Sequence, residues 1–123
     1  MEINVLTQKV IGCAIEVHKE LGPGLLESTY EHCLRYELYT QGLDVQSQLM
    51  LPVHYKSTTI DAGYRLDLLV DNNLIVELKA VDKLSNIYLA QMMTYLKLTG
   101  IKTGLIINFN VTKLIDGIKR VSL

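Results

Sequence analysis

The apolar residues of the chain follow two rhythms, helical spacing near the start and again before the last third, and strand alternation between them. From Leu6 to Leu21, the positions Leu6, Val10, Cys13, Ala14, Val17 and Leu21 recur at helical spacing, and Gly22-Pro23-Gly24 stops the run, which predicts a first helix. A second helix is expected from about Leu25 to Tyr39, with Leu26, Tyr30, Cys33, Leu34 and Leu38 on its inner stripe and Gly42 at its C-terminal end. The period then shortens to two. Val45 to Tyr55 reads as a strand broken by Pro52, which predicts an edge position or a bulge there. Lys56 to Thr59 reads as a turn, and a further strand continues from Ile60 through Gly63 into the segment around Asp67.

The stretch Tyr64–Val81, YRLDLLVDNNLIVELKAV, predicts a hairpin. Leu66, Leu68 and Val70 alternate with Arg65, Asp67 and Leu69, while Leu74, Val76 and Leu78 alternate with Ile75, Glu77 and Lys79. A three-residue loop Asp71-Asn72-Asn73 pairs Val70 with Leu74, which sets Asp67 opposite Glu77 and puts Asp67, Glu77 and Lys79 on one face. A third helix is expected over Asp82 to Leu98, capped by Ser85 or Asn86, with Leu89, Met92, Met93 and Leu96 inward and Tyr88, Gln91 and Tyr95 on another face. Lys102 to Asn108 reads as a buried strand, Val111 to Gly117 as a turn or short helical piece, and Ile118 to Leu123 as a last strand. The order α-α-β-β-β-α-β predicts an α/β fold, a mixed central sheet flanked by helices.

Composition narrows the class. A chain of 123 residues with 49% hydrophobic content is expected to fold as one domain over 1–123, and disorder is excluded. No apolar run approaches the roughly 20 residues of a membrane span, and MEINVLTQKV lacks the order of a signal peptide, so no membrane partner and a cytoplasmic location are expected. Cys13 and Cys33 have no zinc-site spacing and read as reduced thiols. His18 reads as a capping or packing residue, with a ligand as the weaker alternative, His54 as a surface residue, and Arg65 as the partner of a local acid, with a phosphate contact as its alternative.

The net charge of −1 argues against a strongly basic nucleic-acid binder, yet the charge is uneven. Residues 1–50 carry three Lys/Arg against seven Asp/Glu, residues 51–82 three against five, and residues 83–123 six against one. Lys97, Lys102, Lys113, Lys119 and Arg120 are therefore candidates to neutralise phosphates, or else a solvated face that balances the acidic front.

Two carboxylates facing each other across a strand pair, with Cβ atoms about 5 Å apart, repel unless a positive charge lies between them. Oxygen-only ligation of this kind suits Mg²⁺ or Mn²⁺. Salt-bridged strand charges are the alternative for residues taken singly. Together, Asp67 and the triplet Glu77-Leu78-Lys79 resemble the PD-(D/E)xK nuclease superfamily, with Leu66 where the motif's proline would stand. Gly24 to Tyr30, GLLESTY, spells GxxExxY and resembles the small bacterial family of that name, as do HKELGPG before it and VELKAV after it, so that the likeness spans essentially the whole chain. Gln91 and Tyr95 form a QxxxY that resembles an auxiliary motif of nucleases related to the RecB nuclease domain.

The resemblance implies a restriction-endonuclease-like core and hydrolysis of phosphodiester bonds in DNA or RNA. It implies Mg²⁺ or Mn²⁺ held by Glu27, Asp67, Glu77 and the Leu78 carbonyl, with Lys79 orienting water or stabilising charge and Gln91 and Tyr95 supporting. Glu27 in the first turn of its helix is equally favoured by the helix dipole, and Tyr30 is expected on the same side as Glu27. The alternative is a catalytically inactive nuclease-fold module that binds nucleic acid or a protein partner. Tyr36, Tyr39 and Met50-Leu51 are candidates for a homodimer contact.

Overall fold

The computed structural model describes Met1–Leu123. Helix α1 spans Ile3–Leu21 and begins before the apolar stripe because Glu2 caps it, its carboxylate accepting from the amides of Asn4 at 2.9 Å and Val5 at 3.3 Å. Leu6, Val10, Cys13, Ala14 and Val17 are buried as the spacing predicts, whereas Leu21 stays exposed at the helix end. His18 is a packing residue: its Nε2 lies 2.9 Å from the Val111 carbonyl oxygen and its ring lies beside Phe109.

Helix α2 spans Glu27–Thr40 and buries Tyr30, Glu31, Leu34 and Leu38. Leu26 is 73% exposed because it is the N-cap rather than part of the inner stripe. Strand β1 is Val45–Met50, β2 is Val53–Tyr55 and β3 is Thr58–Ile60. The expected long strand Val45–Tyr55 therefore breaks at Leu51-Pro52, and Ile60 does not run on into the Asp67 strand. β2 and β3 form a small hairpin of their own, with Val53 opposite Ile60, closed at its base by the Leu51 amide donating to the Tyr64 carbonyl at 3.0 Å.

Strands β4, Arg65–Val70, and β5, Leu74–Lys79, are followed by α3, Asn86–Thr99, β6, Thr103–Asn108, a 3-10 turn at Leu114–Gly117 and β7, Ile118–Ser122. The five-stranded sheet has the order β1-β4-β5-β6-β7, parallel between β5 and β6 and antiparallel elsewhere. β1 sits at one edge, as Pro52 implied. β6, next to the centre, is buried at every position.

α1 and α2 cover one face through Leu68, Val70, Leu74, Val76, Leu78, Leu105 and Ile107. α3 covers the other through Leu69, Ile75 and Ile106, with Met92, Tyr95 and Leu96 inward. Tyr95 thus belongs to the buried stripe of α3 and not to a separate face. The fold is α/β, a mixed sheet between helices. No helix is long and apolar enough to cross a membrane. Of the residues expected at a subunit contact, Tyr36, Tyr39 and Met50 are exposed, while Leu51 is buried in the α3-side core.

Candidate functional site

The loop Asp71-Asn72-Asn73 pairs Val70 with Leu74, Leu69 with Ile75 and Leu68 with Val76, so Asp67 stands opposite Glu77 as the sequence predicts. The ladder stops just short of that pair. The Asp67 amide donates to Glu77 Oε1 at 3.1 Å, and the Leu78 amide donates to Asp67 Oδ2 at 2.9 Å. Each carboxylate has taken an amide that regular pairing would have used, and β4 and β5 fork around the two acids.

The fork also breaks the alternation of β4. Leu66 and Leu68, two apart, pack on opposite sides of the sheet. The three charges consequently do not share one face. Asp67 lines a cleft of about 250 Å³ with Glu27, Ser28, Glu31, Gln48 and Leu78, on the α2 side. Glu77 and Lys79 follow Ile75 toward α3, and the Lys79 Nζ lies 4.6 Å from the centre of the Tyr88 ring. Glu77 nevertheless stays against Asp67 across the fork, and both acids lie within reach of Tyr95 on α3.

Helix α2 brings Glu27 to this place, its Oε2 accepting from the Ala80 amide just beyond β5 at 3.2 Å. The residue one turn on that faces the cleft is Glu31, four positions along, and not Tyr30. Tyr30 turns into the core, fully buried and stacked on Phe109 with ring centres 4.4 Å apart. Its hydroxyl donates to the Gly22 carbonyl at 2.6 Å and accepts from the Leu25 amide at 3.1 Å, closing the Gly-Pro-Gly turn.

Gln48 joins the two halves of the cleft. Its amide nitrogen donates to Glu31 Oε1 and lies 3.5 Å from Asp67 Oδ1. Gln48 has φ of +52°, a left-handed value that costs a residue with a side chain about 1–2 kcal/mol, and it drops out of the ladder between Ser47–Leu68 and Leu49–Leu66. Gln48→Gly and Gln48→Ala both remove the amide, and only glycine is free at this φ. Gln48→Gly is therefore expected to melt higher than Gln48→Ala by the equivalent of about 1 kcal/mol, and equal melting temperatures would deny the strain.

Glu77 is 6% exposed. Burial first, and then the Asp67 charge, push its carboxyl up to about 9, against the opposing pull of the Asp67 amide and Lys79. Tyr95 is pushed up to about 12 by burial and by the charges of Glu77 and Asp67, with the Gln91 side chain pulling the other way. The QxxxY pair thus lies within electrostatic reach of the fork. Asn108, opposite Lys79 in β6, holds the chain after β5: its Oδ1 accepts from the Val81 amide at 3.1 Å and its Nδ2 donates to the Val81 carbonyl at 2.9 Å. Gly117 lies so close to the Asn108 carbonyl that any side chain there would collide with it.

Glu31, Gln48 and Asn108 were not legible as site residues. Glu31 had a signal in its four-residue spacing from Glu27. Gln48 and Asn108 had none, because backbone strain and a pairing across the sheet leave no pattern in the chain.

The acids carry oxygen donors only, and neither forms an ion pair with a Lys or Arg side chain. The single ion pair of the chain joins Arg65 to Asp61 at 3.7 Å, the local pairing expected for Arg65. No three His, Cys, Asp or Glu side chains converge as a ready-made ligand cage. Asp67 Oδ1 and Glu77 Oε2 are nonetheless uncommitted to backbone amides, and Mg²⁺ needs only one or two protein carboxylates besides water. The donor chemistry fits a hard divalent ion.

The basic segment does not gather at this site. Lys97 ends α3 and Lys102 precedes β6, which places both at the end of the sheet opposite Lys79. Arg120, across from Leu105, donates to Asn4 Oδ1 on α1 at 2.9 Å. Lys119 pairs with Ile106, the strand neighbour of Glu77, and so lies two strands away from it. Lys113, in the turn after β6, is exposed at the near end of the sheet.

A family model described as the PD-(D/E)XK nuclease superfamily matches residues 4–121. No curated protein and no solved structure gives a significant match.

Proposed function

The chain belongs to the PD-(D/E)XK nuclease superfamily, and on that premise we propose that it is a metal-dependent nuclease hydrolysing phosphodiester bonds of nucleic acid, working at the β4–β5 fork. The observation that carries this reading is the Asp67–Glu77 pair, a half-buried and a buried acid forced together with neither taking a Lys or Arg as ion-pair partner, and Lys79 two residues further along β5. The GxxExxY motif from Gly24 to Tyr30 supports placing the chain among the small bacterial proteins that share it.

Asp67, Glu77, the Leu78 carbonyl and Glu27 would hold Mg²⁺ or Mn²⁺, which when bound polarises the scissile phosphate and acidifies a water. Lys79 sets its ammonium against the charge that grows on phosphate, held in place over Tyr88. Tyr95 keeps its proton throughout the neutral range and can donate a hydrogen bond, with Gln91 orienting it. Gln48 holds Glu31 and Asp67 at a fixed spacing. Phosphoryl chemistry asks mainly for positioning and electrostatic stabilisation, which these groups supply.

The test is cleavage of labelled single- and double-stranded DNA and RNA in Mg²⁺, Mn²⁺ and EDTA. Lys79→Ala is expected to fold and to lower the metal-dependent rate by about 10²–10³-fold. Activity that survives this substitution would assign the cleavage to another protein. The second reading, a binding module without turnover, is favoured by the two backbone amides already held by Asp67 and Glu77. It would show as nucleic-acid binding with no metal-dependent cleavage by either protein.

A further inference from the structure

On the α3 side of the fork lies a second cleft, of about 590 Å³, between α3 and the base of the β2–β3 hairpin. Its walls include the rings of Tyr64, Tyr88 and Tyr95, with Ile87 and Leu98, and the Gln91 amide stands among them. Its size is that of a small-molecule site, within the usual range of roughly 300–1,000 Å³. It is continuous with the proposed catalytic residues: Lys79 sits over Tyr88, and Tyr64 meets Tyr95 edge to face at 6.4 Å, the same Tyr95 that senses Glu77.

We infer that this cleft seats one unstacked nucleobase of a single-stranded nucleic acid, with its phosphate beside the Lys79 ammonium. The proposal rests on the nuclease reading and names its substrate class. The exposed Tyr64 ring and the half-buried Tyr88 ring, over a floor that includes the buried Tyr95, suit a flat heterocycle, and the Gln91 amide among them can bond a base edge. The cation over Tyr88 marks where the charged backbone must pass. A peptide side chain would use the rings equally well, but would leave the adjacent cation and acid fork without a ligand.

Strandedness follows from energetics. Stacking on a protein ring gains about as much as is lost by drawing a paired base out of a duplex, so the two cancel for a paired base. For an unpaired base the gain remains. Lys97, Lys102 and Arg120 also lie away from the fork, which leaves few cations at its end of the sheet to grip a duplex along both strands.

The experiment is fluorescence anisotropy with a short fluorescein-labelled oligonucleotide, as DNA and as RNA, in EDTA so that no cleavage occurs. Three forms of each are compared: single strand, duplex, and a single strand whose bases are removed over its middle. The intact single strand is expected to bind at least about 10-fold tighter than either the duplex or the abasic strand. Tyr88→Ala should abolish the difference between intact and abasic strands, while Tyr88→Phe keeps it, because the ring and not the hydroxyl provides stacking. Equal affinity for intact and abasic strands, duplex binding as tight as single-strand binding, or no binding of any form would overturn the proposal. Base-dependent binding by a protein that never cleaves would remove the nuclease reading and leave the cleft assigned. Metal-dependent cleavage without base dependence would do the reverse.

Discussion

Glu77→Gln is expected to give a more stable protein that has lost its cleavage activity. In the metal-free chain the Glu77 carboxyl is buried beside Asp67 and pushed up to about 9, so near neutral pH it holds a proton. The amide of the variant keeps the oxygen that accepts the Asp67 amide and adds an N–H toward the Asp67 carboxylate, with no charge to desolvate. Folded Glu77 binds its proton far more tightly than an unfolded glutamate near 4.5, so between those values the native state holds more protons than the unfolded state. Wild-type stability in EDTA should therefore fall as pH rises from about 4.5 to about 9 and then level off. The variant should lose that slope and gain about 1–3 kcal/mol at pH 8, read as a higher midpoint in urea. Loss of one carboxylate from the proposed metal site should cost at least about 10²-fold in rate. A flat wild-type pH profile in EDTA would refute the burial argument, and full activity of Glu77→Gln would remove this residue from the chemistry.

At the proposed metal site the same proton would make binding pH-dependent. Glu77 has to give up its proton to become a ligand, so Mg²⁺ affinity should rise toward pH 9, up to tenfold per unit, and fall in acid. Calorimetry in two buffers of different ionisation enthalpy would count the proton released.

The hairpin was legible because its signal is local. A three-residue turn fixes the pairing, and that pairing alone puts Asp67 against Glu77. The helices and β6 were legible through periodicity and an unbroken apolar run, and the fold class followed from their order. The face shared by Asp67, Glu77 and Lys79 was not, since strict alternation assumes a regular ladder. Here the side chains themselves replace the ladder hydrogen bonds, and Leu66 and Leu68 part company as a result. The β2–β3 hairpin was missed for a related reason: Val53–Tyr55 and Thr58–Ile60 are short and mostly exposed, so their apolar pattern carries little weight. The basic last third was legible as charge but not as a surface. Sheet order and register disperse it, and neither can be read from the chain.

Tyr30→Ala is expected to cost about 3–5 kcal/mol, because it empties a fully buried position stacked on Phe109. Tyr30→Phe separates packing from polarity. The ring stays on Phe109, while the hydroxyl that joins the Gly22 carbonyl to the Leu25 amide is lost, for about 1–3 kcal/mol. The phenylalanine variant should nonetheless cleave within a few-fold of wild type, because Glu27 keeps the Ala80 amide and Glu31 keeps Gln48. In this reading the tyrosine of the GxxExxY motif shapes the turn that aims α2, and the glutamate three residues before it meets the substrate side. A Tyr30→Phe protein that melts like wild type yet no longer cleaves would reverse these roles and move Tyr30 into the catalytic machinery.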